Sequence, residues 1–225
     1  MSSIILEGGT TATEVALFSR DQLPMGKAND DTLSRLEHSG QALRMKKGPN
    51  GHERLYLFID EDIPQPTRKF CDLAEPTLYR FRTMSGRIGF GGVESTTNAF
   101  IPDEMVRQDT EIEPGTYEAV AYKTEYPRNF IERKVRNRIG DEGLKILNYP
   151  LKIASVTAAI VVLFLLLTFS FSAGFVVVAI LSALTGFLYY KHYTNSPNYK
   201  FEYNRKREIE LKYPTVVIKM ASRRE

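Results

Sequence analysis

The sequence predicts a β-rich α+β domain on the cytosolic side of a membrane. Into that domain is inserted a two-helix transmembrane hairpin, which returns both termini to the same side. Three observations lead there. Residues 153–190 run for 38 positions without one Asp, Glu, Lys or Arg. The segments flanking that run are rich in Lys and Arg. Much of the remainder alternates apolar and polar residues at the period of a strand. The averages hide this, since 43% apolar and 25% charged residues describe an ordinary globular chain. Only their uneven distribution rules out a wholly soluble protein. With 225 residues there is room for one domain or a modest two. A single cysteine, Cys71, excludes an intrachain disulfide and a Cys-rich zinc site.

Residues 1–125 read as an acidic, β-rich cytosolic domain. The chain is +3 overall, yet residues 126–152 and 191–207 contribute +4 each and 208–225 contribute +1, which leaves residues 1–125 at −6. Strand alternation shows in Tyr79 and Phe81 against Leu78, Arg80 and Arg82. It recurs in Tyr117, Ala119 and Ala121 against Glu118, Val120 and Tyr122. The Asn50-Gly51 pair predicts a hairpin joining residues 41–47 to 53–59. Gly8-Gly9 predicts a second, joining residues 4–6 to 13–18, and Ser85-Gly86 a third. A short helix is expected over residues 31–38, capped by Asp30 or Asp31, with Leu33 and Leu36 facing inward. Pro64, Pro66 and Pro76 predict a loop between sheet segments.

Residues 126–150 read as a basic amphipathic juxtamembrane segment. Ile131, Val135 and Ile139 recur every four residues among Arg128, Arg133, Lys134, Arg136 and Arg138, which predicts a helix ending near Gly140. Pro150 is expected to redirect the chain into the bilayer.

Residues 151–190 form the hairpin. As one helix the 38-residue run would span about 57 Å, nearly twice a hydrocarbon core of about 30 Å. Splitting it at Ser172, Ala173 and Gly174 leaves two helices, 153–171 and 175–190. Basic residues on both flanks, including Arg133, Lys134, Arg136, Arg138, Lys152 and Lys191, place both flanks on the cytosolic side and against anionic headgroups. In a bacterium this would be the inner membrane. Tyr149, Tyr189 and Tyr190 supply an interfacial aromatic belt. The first 20 residues lack the pattern of a cleavable signal, so the hairpin is expected to direct its own insertion. Ala154 and Ala158, and Ser182 and Gly186, have the small-xxx-small spacing of closely packed membrane helices, either within the hairpin or against another subunit.

Residues 191–225 read as a basic linker followed by a C-terminal β-hairpin, from the alternation Ile209, Leu211, Tyr213 and the run 215–218. A two-stranded hairpin is marginal alone, so it is expected to complete the cytosolic sheet, the alternative being a tail that pairs with another chain.

No catalytic, cofactor or metal site follows from the sequence. The glycine-rich stretch Gly86, Gly89, Gly91, Gly92 lacks the helix that a phosphate loop needs after it. Asp60, Glu61 and Asp62 are consecutive and share no face, and His38, His52 and His192 lie far apart. Basic residues gathered beside the membrane segment disfavour nucleic-acid binding. The function expected is therefore a non-enzymatic scaffold or accessory subunit of a membrane complex. Its partners would be an anionic bilayer and other membrane subunits, with self-association also open. A ligand-sensing pore-forming effector and a toxin-blocking immunity protein are the alternatives.

Overall fold

A computed structural model describes residues 3–10, 13–26, 28–46, 51–72, 77–100, 106–170 and 174–223. It is a mixed α+β structure, with two sheets and five helices among the described residues. The chain divides into two units, residues 1–127 with 213–225, and residues 128–212.

The first unit is built from β1 (Ile4–Thr10), β2 (Glu14–Ser19), α1 (Asp30–His38), β3 (Ala42–Lys46), β4 (Gly51–Ile59), α2 (Gln65–Arg68), β5 (Thr77–Thr83), β6 (Arg87–Gly92), β7 (Arg107–Glu111), β8 (Gly115–Lys123) and β9 (Val216–Ser222). A five-stranded sheet runs β1-β4-β9-β8-β5 and a four-stranded sheet runs β3-β2-β6-β7. The inner faces of both sheets share one core, including Leu17, Leu43 and Phe90 from one sheet and Leu57, Phe81 and Ile218 from the other. The strand period puts every second residue there. In β8, Tyr117, Ala119 and Ala121 point into this core, the face that their alternation predicts.

The outer faces are covered locally. Helix α1 lays Leu36 over Ala16, Phe18 and Ala42 of the four-stranded sheet. Its cap is Asn29, whose side chain accepts from the Thr32 amide at 2.9 Å, one residue earlier than expected. Asn serves as well as Asp at that position. On the other sheet Phe58, Ile63, Cys71 and Val217 form a smaller cluster beside α2. Pro66 occupies the first turn of α2, where a missing N–H costs nothing. Pro76 lies outside the described residues.

None of the three expected hairpins forms. β1 pairs with β4 and β2 with β3 and β6, while β5 pairs with β8. The members of each expected pair, β1 and β2, β3 and β4, and β5 and β6, instead lie in different sheets. Gly8 and Gly9 lie inside β1, and residues 48–50 lie outside the described residues. Turn chemistry specifies a chain reversal, and in a two-sheet packing a reversal joins facing strands as readily as neighbouring ones.

The C-terminal β-hairpin is also corrected. Residues 197–210 form a helix, α5 (Pro197–Glu210), and β9 alone remains as strand. Ser196 caps α5 and Pro197 opens it, a pairing that starts helices. Ion pairs Arg205–Glu202 and Lys206–Glu210, three and four residues apart, support it. Three alternating residues are too short a signal to compete. β9 then lies between β4 and β8, parallel to the first and antiparallel to the second.

The second unit holds α3 (Phe130–Ser170), α4 (Gly174–Thr194) and α5. Gly140, at φ 73° and ψ 174°, breaks α3 into two arms. Pro150 stays inside the second arm and does not end it. Proline cannot bond the carbonyl four residues back, and the Tyr193 hydroxyl is directed at that carbonyl, Ile146 O, at 3.4 Å. Ser172 and Ala173, the expected turn, lie outside the described residues.

Candidate functional site

Two helices, within α3 and α4, are long and apolar enough to cross a membrane. Their large side chains point away from the protein: Leu151, Leu166 and Leu188 are 68%, 60% and 64% exposed. Each such side chain left in water forgoes about 1.5–3 kcal/mol of burial. Between the two helices, Gly186 lies against Thr157 so closely that a Cβ there would collide with its side chain. Ser182 is half-buried and Ala179 is buried on the same side of α4. Ala154 and Ala158 lie on an exposed side of α3. Tyr149 packs against Tyr193 with the rings tilted and their centroids 4.8 Å apart, while Tyr189 and Tyr190 are exposed, as are Lys152 and Lys191.

The basic segment before the hairpin is an elbow. Its first arm buries Val135 and Ile139, the stripe that the four-residue spacing predicts. Helix α5 braces the bend: Arg205 donates to Arg138 O at 2.7 Å while its guanidinium is held by Glu202 at 3.0 Å. Gly143 leaves room for Glu202, whose carboxylate would stand 2.9 Å from a Cβ there. A cavity of about 810 Å³ opens at the elbow, lined by Arg128, Arg133 and Arg136 of the first arm, Leu144 and Asn148 of the second, and Lys206 of α5. Lys134 and Arg138 do not line it, and Lys134 instead lies over the Phe130 ring. Periodicity located the helix, but the cavity needs the bend, for which the left-handed Gly140 is the local signal.

A second cavity, of about 660 Å³, lies on the β domain and takes lining residues from edge strands β3 and β5 and from β8. Within it Tyr79 Oη donates to Arg44 O at 3.0 Å. Its cations Arg44, Lys46 and Lys123 face the anions Glu14, Glu37 and Asp72. Arg44 is bound to Glu14 at 2.5 Å, so the groove shows no charge preference.

The glycine-rich stretch, the carboxylate run, two of the histidines and the cysteine have structural surroundings. Of the glycine-rich stretch, Gly86 precedes β6 at a positive φ, and Gly89, Gly91 and Gly92 lie in β6, where Gly91 meets Gly8 of the facing sheet; a Cβ on Gly8 would stand 2.6 Å from the Gly91 Cα. Asp60 accepts from the Ser222 amide at 2.7 Å, and Asp62 pairs with Lys219, so both tie down β9. His52 bonds Glu7 at 3.1 Å, and His38 bonds Ser34 O at 2.7 Å. Burial pushes the Cys71 thiol up to about 11, which suppresses its nucleophilic form. No group of three His, Cys, Asp or Glu placed to hold a metal occurs among the described residues.

Sequence reasoning missed two polar centres. Arg107, 1% exposed, binds Asp109 through Nε and Nη2 at 2.8 and 3.0 Å and donates Nη1 to Ser95 O and Thr97 O. It fastens the loop after β6 to β7. Asp21 accepts from Ser19 Oγ and from the amides of Met84 and Ser85. Burial raises its pKa, but these hydrogen bonds outweigh that and lower it to about 2. Both are single charged residues in short polar segments, with no pattern to mark them.

No protein-family model matches this sequence, and no curated protein matches it. Two solved structures resemble it in part. One is described as crocagin biosynthetic gene J, at 15% identity and a TM-score of 0.40, covering 60% of this chain and 83% of that one. The other is ComJ from Bacillus subtilis, described as an inhibitor of the DNA-degrading activity of NucA, at 12% identity and a TM-score of 0.36, covering 55% and 84%. Likeness at that level assigns neither a fold family nor a function.

Proposed function

We propose that this protein is a non-enzymatic, membrane-anchored accessory subunit. Its hairpin crosses the bilayer twice and packs on partner helices, and its β domain docks on their cytosolic side. The observation that carries this reading is where the hairpin is inserted. It leaves the β domain after β8 and returns before β9, and those strands are paired to their ends, Lys123 opposite Val216. Beyond them Thr124 and Tyr126 still bond Pro214 O through their hydroxyls. An insertion that departs and returns at one point needs an even number of crossings, and two apolar helices supply two.

The outward-facing leucines call for lipid or protein cover. With Gly186 already used against Thr157, the exposed Ala154 and Ala158 offer a second helix a close approach. The basic flanks support a cytosolic side for both ends of the hairpin. Mild-detergent extraction at native expression level, affinity purification and mass determination of the intact assembly test this. A stoichiometric complex with other membrane proteins supports the reading, and a strict monomer overturns it. Digestion of either terminus by protease added outside sealed cells would overturn the sidedness.

A further inference from the structure

We infer that the elbow cavity of the second unit is a binding site for the phosphate headgroup of an anionic lipid, an inference that rests on the membrane-anchored reading above. The cavity walls carry four cations, Arg128, Arg133, Arg136 and Lys206, against two carboxylates, Glu132 and Glu210. Two of the cations are weakly engaged. Arg136 meets Asp141 at 3.6 Å with both side chains largely exposed, and Lys206 meets Glu210 at 3.7 Å. Arg128 and Arg133 have no ion pair among the described residues. Guanidinium groups left open in a concave site are what a phosphate, with several acceptor oxygens, engages through charge-assisted bonds.

The remaining lining, Ile131, Val135 and Leu144, is apolar. What favours a lipid over a free anion is place, since the cavity adjoins the segment that would enter the bilayer. If the hydrocarbon begins at Ile153, Asn148 stands about 7.5 Å outside it at about 1.5 Å per residue, at the edge of a headgroup layer about 5–8 Å thick, and Leu144 stands about 13.5 Å outside.

The bend that forms the cavity is a constructed feature. Gly140 takes a backbone conformation that L side chains rarely adopt, with open space around it. Arg205 bonds the Arg138 carbonyl near the end of the first arm, and Gly143 admits Glu202. The same segment offers a control. Lys134 and Arg138 carry equal charge outside the cavity, so site binding and diffuse attraction to the collar are separable.

The test uses the full-length protein in detergent, with lipid retention read by intact-mass spectrometry after titration with phosphatidylglycerol or phosphatidylcholine. Selective retention of phosphatidylglycerol is expected. Arg133→Ala with Arg136→Ala should weaken it by about tenfold or more, the loss of at least one charge-assisted contact, while Lys134→Ala with Arg138→Ala should change it by less than about twofold. Equal loss in both pairs would overturn the site in favour of the diffuse collar, and no loss in either would overturn it outright. Displacement of the lipid by inorganic phosphate would reassign the site to a free anion. Flotation with pure phosphatidylcholine vesicles separates the two levels of the argument. A chain that does not float refutes the membrane anchor, and one that floats without selective retention refutes the headgroup site alone.

Discussion

Removal of residues 213–225 should unfold the β domain, although it deletes only the end of the chain. β9 is the middle strand of the five-stranded sheet, hydrogen-bonded to β4 on one side and β8 on the other. Its residues Val216, Val217, Ile218 and Met220 are 1%, 0%, 0% and 0% exposed. At about 1.5–3 kcal/mol for each buried side chain, the strand contributes about 6–12 kcal/mol, an upper estimate because unfolded chains are partly collapsed. A domain of this size is stable by about 5–15 kcal/mol in all. The deletion also strips partners from two hydrogen-bond ladders, so the truncated domain should not hold its fold.

The assay is pulse proteolysis in detergent across a urea series, scoring cleavage within residues 1–127, because helix-dominated circular dichroism would mask the sheet. Cleavage without urea is expected, with protection restored by a synthetic peptide spanning 213–223. Ile218→Ala is the graded version and should cost about 2–5 kcal/mol. A truncated chain with an unchanged urea midpoint would refute the central-strand argument.

Three further outcomes follow from the same contacts. Asp21→Asn should cost about 1–2 kcal/mol at neutral pH, discounted for partial exposure; because the carboxyl is lowered from 3.8 to about 2 in the folded state, its contribution is full above about pH 4 and lost as pH falls towards 2, so urea midpoints of the two proteins should converge there. Arg107→Met should cost about 2–4 kcal/mol by leaving the carbonyls of Ser95 and Thr97 without their donor and Asp109 with Arg20 as its remaining cation; a loss under 1 kcal/mol in thermal unfolding would contradict the network. Gly186→Leu should lower thermal stability in detergent by about 1–3 kcal/mol through overpacking on Thr157, and Thr157→Ala in the same chain should recover part of it, whereas strictly additive losses would mean that the helices do not meet there.

Several elements were legible because their signals are local. The inward faces of α1 and β8, and the buried stripe Val135 and Ile139, follow from spacing that any short segment displays. The long apolar run marks its own two helices for the same reason. A helix start is equally local, so Ser196-Pro197 held information that outweighed the three-residue alternation after it.

Strand partners are another matter. The two inner faces of stacked sheets demand the same alternation, so β1, β3 and β5 carry no mark of which sheet they enter. Buried polar centres depend on groups far apart in sequence. Asp21 meets Met84 and Ser85, and Thr215 bonds Arg54. The sequence by itself determined where the chain is apolar, basic or alternating, and hence its helices, many of its strand faces and its charge zones. The tertiary structure alone decided that β9 lies between β4 and β8, that the expected hairpins become crossings, and that the basic helix bends at Gly140 around a cavity. Each of those depends on which distant surfaces meet, and that free energy belongs to no single segment.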